Sequence, residues 1–370
     1  MRVPFLDLKA QYSTIKTEIA EAIARVLDSG QFILGPEVQR FEEDFASWHH
    51  AEHAIATNNG TSALHLALWA MGIGRGDEVI LPVNTFIATA EAVLLCGATP
   101  IFIDHDEYYN IDTEQVESRI TQRTKAIIAV HLYGQPARMD ALKHIADRYG
   151  IALLEDAAQA HLATFGGKSV GALSQAACFS FYPGKNLGAY GEGGAVITND
   201  SALATKMRLL RDHGSESKYR HIVAGHNYRL EALQAAILNV KLQYIEEWTA
   251  SRRRHAEEYN QMLRDCPHIQ IPKEHALAKS VYHLYVIQAA DRDGLREHLE
   301  RANIGTGLHY PVPLHQQPCF AYLGYKEGAF PRTEASANRI VSLPMFPELT
   351  EMQLQYVAES VCNFYDKGAD

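Results

Sequence analysis

Seven short apolar runs, separated by stretches of helical length, set the strongest limit on what this chain can fold into. The runs are 53–57, 78–81, 99–103, 126–130, 151–156, 176–181 and 195–198. Strand-length runs alternating with helices of about 10–15 residues argue for an α/β fold with a largely parallel sheet. Helices are expected with apolar Ile15, Ile19, Ile23 and Val26, from Pro36 with Val38, Phe41 and Phe45 on one face, and over 140–149, 202–212 and 230–248. Near residue 250 the texture changes. Ser251-Arg-Arg-Arg254 and Asp265-Cys-Pro267 are polar and punctuated. Beyond them the pattern predicts a smaller α+β unit: a helix at 252–264, a strand at 281–287, and helices at 293–302 and 350–365. The expected division is a large domain over 1–250 and a small one over 251–370.

Ligands of open parallel sheets sit beyond the carboxyl ends of the strands. Two such ends carry chemistry. The run 151–156 finishes in Glu155-Asp156, and the run 176–181 leads through Pro183-Gly184 to a single lysine, Lys185, before a glycine-rich loop. A lysine with little bulk around it suits an amine that attacks a carbonyl once burial or a cationic neighbour lowers its pKa. An ordinary surface lysine is the competing reading, as a helix cap or structural ion pair is for Asp156. The phosphate-cradling P-loop is excluded, because Phe179 stands at its upstream glycine and Asn186 replaces its Ser or Thr. An acid and a lysine at neighbouring strand ends are the pair a pyridoxal phosphate site needs: a covalent anchor and a partner for the pyridine nitrogen. The turn at Gly60-Thr61-Ser62, between a strand and a helix start, can hold an anion such as a cofactor phosphate, or simply cap the helix.

The strings Glu-Asp-Ala-Ala-Gln-Ala-His at 155–161, Phe-Ser-Phe-Tyr-Pro-Gly-Lys-Asn-Leu-Gly at 179–188 and Gly-Glu-Gly-Gly at 191–194 resemble those of the DegT/StrS-type sugar aminotransferases. These belong to the aspartate-aminotransferase (type I) fold group. The resemblance runs from Phe5-Leu-Asp-Leu to Pro344-Met-Phe-Pro347. It implies a three-layer α/β/α large domain with a mostly parallel mixed sheet, and a smaller C-terminal α+β domain. It implies pyridoxal 5'-phosphate held by Lys185, with Asp156 at the pyridine nitrogen and Gln159 at the 3-hydroxyl. It further implies Gly60, Thr61, Ser62 and Ser180 at the phosphate, Phe86 stacked on the ring, and Asn227 reaching the phosphate of the neighbouring subunit. A homodimer with composite sites follows from that last role. The early loop over 29–36 is expected close to the site.

On the substrate side the resemblance places Tyr182, Lys218, Tyr219, Arg220, His309, Tyr310 and His315. Lys218, Tyr219, Arg220 and His221 together can meet a diphosphate; taken by themselves they are better explained as an ordinary solvated loop. The implied reaction is amination of a nucleotide-diphosphate-linked keto sugar, with L-glutamate as donor. The His309-Tyr310-Pro311 spelling looks more like enzymes acting at C-3, here on a dTDP-linked 3-keto-6-deoxyhexose. A C-4 keto sugar and a UDP-linked 3-keto sugar are the alternatives. Related dehydratases carry histidine at the lysine position, so Lys185 speaks against that class. A non-catalytic regulator or sensor is the remaining rival.

Composition narrows the partners. Apolar residues make up 47 % and charged residues 21 %, as in ordinary globular chains, and the formal net charge is −10. That balance and the lack of a helix-turn-helix signal argue against nucleic acid. The basic run at 252–254 reads as a solvated helix face. Five scattered cysteines without a Cys-x-x-Cys pair suit a reducing cytoplasm. No signal peptide or membrane span is expected. The eighteen histidines form no ligand motif, so no metal is expected. Gly72-Ile-Gly-Arg-Gly76 is not a dinucleotide fingerprint, since it follows a helix and Asp77 stands at the third glycine.

Overall fold

The computed structural model describes residues 1–366. After helices α1 (Leu8–Ser29) and α2 (Pro36–Trp48), strands and helices alternate. They run β1 (His53–Thr57), α3 (Gly60–Ala70), β2 (Glu78–Pro82), α4 (Ile87–Leu95), β3 (Thr99–Ile103), β4 (Thr124–Val130), α5 (Met139–Tyr149), β5 (Ala152–Asp156), β6 (Ala176–Ser180), β7 (Gly194–Thr198) and α6 (Ser201–Arg211). The seven strands form one sheet in the order β1-β7-β6-β5-β4-β2-β3. β7 runs antiparallel to both its neighbours, and the other adjacent pairs are parallel. The carboxyl ends of β1, β2, β4, β5 and β6 therefore open on one edge. The register pairs Val130 with Asp156 and Asp156 with Cys178, so β4, β5 and β6 finish within a residue or two of one another.

Both faces of the sheet are buried, which explains its near-continuous apolar strands. One face packs on α3, α4 and α6 through Leu64, Leu68, Val93 and Met207, and the other on α5 through Leu142 and Ile145. β2 is buried at all five positions.

The stretch expected as one helix over 230–248 is two. α7 (Ala232–Leu242) ends at Gln243-Tyr244, and α8 (Ile245–Leu263) follows them as a separate helix. α7 is buried nearly all round, among α1, α2 and the sheet. α8 buries only one stripe. A straight continuation could not satisfy both surroundings, and the break resolves the conflict. The helix expected at 252–264 thus begins seven residues earlier than its polar start suggests.

A second antiparallel sheet follows from β8 (Ile269–Gln270), β9 (Tyr285–Ala289) and β10 (Ile340–Leu343), in the order β8-β9-β10. α8, α9 (Arg292–Arg301) and α10 (Glu351–Asp366) cover it. The strand expected at 281–287 starts late because 281–284 pack against the loop after β4, with Val281 N on Gly134 O at 3.0 Å. The division expected at 250/251 falls inside α8, whose Ile245 joins the large core while Ala256, Tyr259 and Leu263 join the small one. Val3 also belongs to the small core, bonded to Asn303 and Gly305. Residues 367–370 of the expected small domain lie outside the described residues.

Candidate active site

Lys185 sits in the loop that joins β6 to β7. The loop closes on itself through Ala189 N on Phe181 O at 2.7 Å and Lys185 N on Tyr182 O at 2.8 Å. The lysine side chain is half-buried, and desolvation of its amine brings the pKa down to about 8, against an opposing pull from the Asp156 charge. Asp156 ends β5 and is 7 % exposed. Its Oδ2 accepts from Thr89 Oγ1 at 2.7 Å and its Oδ1 from Ala158 N at 3.2 Å. Burial raises its pKa, and the Thr89 and Ala158 donors and the Lys185 charge partly offset that rise. Lysine and carboxylate thus feel one another across the edge of the sheet.

Beside Asp156 runs a chain of hydrogen bonds into the C-terminal part of the protein. Gln159 Oε1 accepts from Tyr133 N at 2.6 Å, and its Nε2 donates to Tyr310 Oη at 3.3 Å. Tyr133 Oη donates to the His309 carbonyl. The His309 ring bonds Ser342 Oγ at 2.8 Å through Nδ1 and stacks on Phe5 at 5.8 Å. The half-exposed Phe86 packs 5.6 Å from the Tyr310 ring at the mouth of the site. Burial, with the Lys185 charge second, lowers the His309 pKa to about 4. His283 is lowered by the same two causes in the same order. Neutral imidazoles therefore face the amine.

The turn after β1 lies on the same edge. Asn59 caps α3 by accepting from Ser62 N at 2.8 Å. The Gly60 and Thr61 amides lie at the positive end of the helix, outside its own hydrogen-bond ladder. A Cβ on Gly60 would stand 2.7 Å from Ser180 Cβ, so the two chain segments touch with no room for a side chain. The result is a cradle of backbone donors and hydroxyls that suits a phosphate.

The structure thus brings together Lys185, Asp156, Gln159, Phe86, His309 and Tyr310, with Gly60, Thr61, Ser62 and Ser180 alongside. Tyr182 is exposed on the Lys185 loop. Other expected residues lie elsewhere in the chain. Lys218, Tyr219 and Arg220 occupy an exposed hairpin, with Tyr219 86 % exposed and Arg220 paired to Glu216 at 2.9 Å. Asn227 is exposed and accepts from Arg229 at 3.1 Å. His315 is buried against Phe330 and bonded to Glu334 at 3.0 Å. His161 is fully buried between Phe179 and Phe181, a packing role.

Three residues near the centre were not singled out from the sequence. Thr89 lies on the first turn of α4 and Tyr133 in the loop after β4. His283 is bonded through Nδ1 to Asn186 Oδ1 at 3.1 Å. Each reaches the site across 67, 26 or 97 residues of chain, and no local spacing signals such contacts. Among the described residues no group of three metal-ligating side chains occurs, and no helix is long and apolar enough to cross a membrane.

Comparison with known proteins gives this geometry a context. The sequence pattern of the DegT/DnrJ/EryC1/StrS aminotransferase family matches residues 13–362. The chain is 50 % identical over 368 residues to the "Pleiotropic regulatory protein" of Geobacillus stearothermophilus, covering 99 % of each. It is 47 % identical over 361 residues to the dTDP-3-amino-3,4,6-trideoxy-alpha-D-glucose transaminase of Streptomyces venezuelae, covering 97 % of this chain and 95 % of that one. Its fold superposes with a TM-score of 0.97 on the crystal structure of S. venezuelae DesV in complex with a ketimine intermediate, at 47 % identity and 98 % coverage of both chains. The chain therefore belongs to the DegT/DnrJ/EryC1/StrS aminotransferase family.

Proposed function

We propose that this protein transfers an amino group from L-glutamate to a nucleotide-diphosphate-linked keto sugar, with a dTDP-linked 3-keto-6-deoxyhexose as substrate and pyridoxal 5'-phosphate as cofactor. The observation that carries the reading is the Lys185 amine, desolvated to a pKa of about 8, set against the buried Asp156 carboxylate at the carboxyl edge of the sheet. The name of the Streptomyces relative supports a dTDP-linked sugar aminated at C-3. The residues also fit the cofactor: a cradle too tight for a side chain at Gly60, and an acid and an amine opposed across the adjoining space.

Bound there, pyridoxal phosphate supplies an aldehyde carbon that carries the amino group and a ring that withdraws electrons. Lys185 Nζ, partly deprotonated near neutral pH, would hold the cofactor. Once released, it would move a proton from the donor Cα. The Asp156 carboxylate, oriented by Thr89 Oγ1 and Ala158 N, would accept from the ring N–H and keep it charged. Gly60, Thr61, Ser62 and Ser180 would bind the phosphate, Gln159 Nε2 would donate to the ring hydroxyl, and Phe86 would cover the ring. His309, Tyr310 and Tyr182 line the substrate side in this reading, and His315 anchors their loop.

Lys218, Tyr219, Arg220 and Asn227 act across a homodimer interface in the same reading. Their exposure, and that of Phe32, Ile33, Ile222 and Val223, supports a partner subunit there. A cytoplasmic location accords with the cysteine pattern.

The test is to load purified protein with pyridoxal phosphate, add glutamate and a panel of dTDP- and UDP-linked 3- and 4-keto sugars, and detect the amino sugar by mass. A visible absorption band should form, respond to glutamate and be lost in Lys185→Ala. A protein that forms no such band, or aminates none of the panel, defeats the proposal. The name of the Geobacillus relative favours regulation as a second reading. Promoter DNA shifted on a gel, with no amino sugar formed, would select it.

A further inference from the structure

Outside the site, the most unusual ionisable side chain is Lys241, near the end of α7. It is 1 % exposed. Its Nζ donates to the carbonyl of Gly188 and lies over the rings of Tyr190 at 4.9 Å and Trp248 at 6.0 Å. Burial lowers its pKa to about 8, and Glu348 offsets this through space. Retaining an ammonium in such a place is costly unless its hydrogen bond is needed.

Gly188 is where the Lys185 loop closes. A Cβ there would stand 2.3 Å from Pro183 O and 2.9 Å from Tyr182 O, so the end of the loop lies on its beginning with Lys185 at the apex between. The next turn of chain is held from the same helix: Tyr190 N donates to Gln234 Oε1 at 3.0 Å. Gln234 and Lys241 are seven residues apart on α7 and share one face. Two side chains of one buried helix thus grip the loop on either side of Ala189.

We propose that Lys241 is a positioning residue, which fixes the loop carrying Lys185 by donating to the Gly188 carbonyl, with Gln234 as the second clasp. The link to turnover rests on the reading of Lys185 as the reacting amine; the clasp itself does not. Hydrogen–deuterium exchange of the cofactor-free protein tests it, comparing wild type with Lys241→Met, which removes the donor, and Lys241→Gln, which keeps a donor without the charge. Peptides over 182–192 should exchange at least about tenfold faster in Lys241→Met, the size expected for losing a hydrogen bond from a charged group. The strands at 176–180 and 194–198 should be unchanged, and Lys241→Gln should fall between.

In loaded protein the kcat of Lys241→Met should drop about tenfold, with the glutamate KM within about twofold, as befits a misplaced reacting group. Unchanged loop exchange in both variants overturns the proposal, as does faster exchange spread evenly over the whole sheet. Faster loop exchange with full turnover upholds the clasp and counts instead against the role given to Lys185. If Lys241→Met does not fold, Lys241→Gln decides by the same readings.

Discussion

Burial acts in opposite directions on the two central groups. It lowers the Lys185 pKa and raises that of Asp156, because both lose the solvation that favours their charged forms. For the lysine the consequence is kinetic. Only the free amine attacks a carbonyl, so the rate at which cofactor-free protein takes up pyridoxal phosphate should rise with pH through a midpoint at about 8, far below an ordinary lysine. Stopped-flow absorbance would follow it, and a midpoint above 10 would contradict the desolvated environment. For the aspartate, Thr89 matters. Its hydroxyl stabilises the carboxylate, so Thr89→Val should raise the Asp156 pKa further. The acid limb of kcat/KM should then move to higher pH by about one unit, the scale of one hydrogen bond to a charged group. The linkage sign is fixed as well. A carboxyl whose folded pKa is raised stabilises the fold below its unfolded pKa and loses that contribution as pH rises through the folded value. Asp156 therefore costs the cofactor-free protein stability at neutral pH, and a ring N–H placed against it would relieve that cost.

At the scale of elements, the turn from β1 into α3 depends on contact between neighbouring strands. Gly60 opens a helix, where alanine is the better former by up to about 1 kcal/mol, which only partly offsets the clash its Cβ would make, so Gly60→Ala should lower overall stability by about 1–2 kcal/mol. That Cβ, 2.7 Å from Ser180 Cβ, should also push the turn off β6 and weaken pyridoxal phosphate binding by about tenfold or more. Equilibrium dialysis beside thermal unfolding separates the two effects. The elements also mark where sequence patterns suffice. Period and strand spacing foretell β1 to β7 because those strands are apolar on both faces. The same patterns miss the break at Gln243-Tyr244, since helical propensity does not record that α7 is enclosed and α8 is not. They miss Thr89 and His283 because those residues reach the site only through the topology of the sheet.

For the whole molecule, the roles proposed for the exposed hairpin and Asn227 require that a second copy supply them. Mixing Lys185→Ala with Asn227→Asp subunits tests this. Each hybrid dimer would hold one intact site, so a fully exchanged mixture should regain about a quarter of wild-type activity from two inactive parents. No regain would place Asn227 outside the partner's site. α8 runs through both cores, with Ile245 in one and Tyr259 in the other.

The sequence by itself determined the alternation of strands and helices, the lysine in its loop and the acid at its strand end, because these depend on periodicity and on runs of a few residues. Only the tertiary structure decided which groups tune them. The Thr89 hydroxyl bonded to Asp156, the imidazoles around the amine and the buried Lys241 bonded to the loop all arrive from distant parts of the chain. Desolvation and hydrogen bonding act through space, and neighbours in space are set by the order of strands in the sheet, which no local pattern encodes.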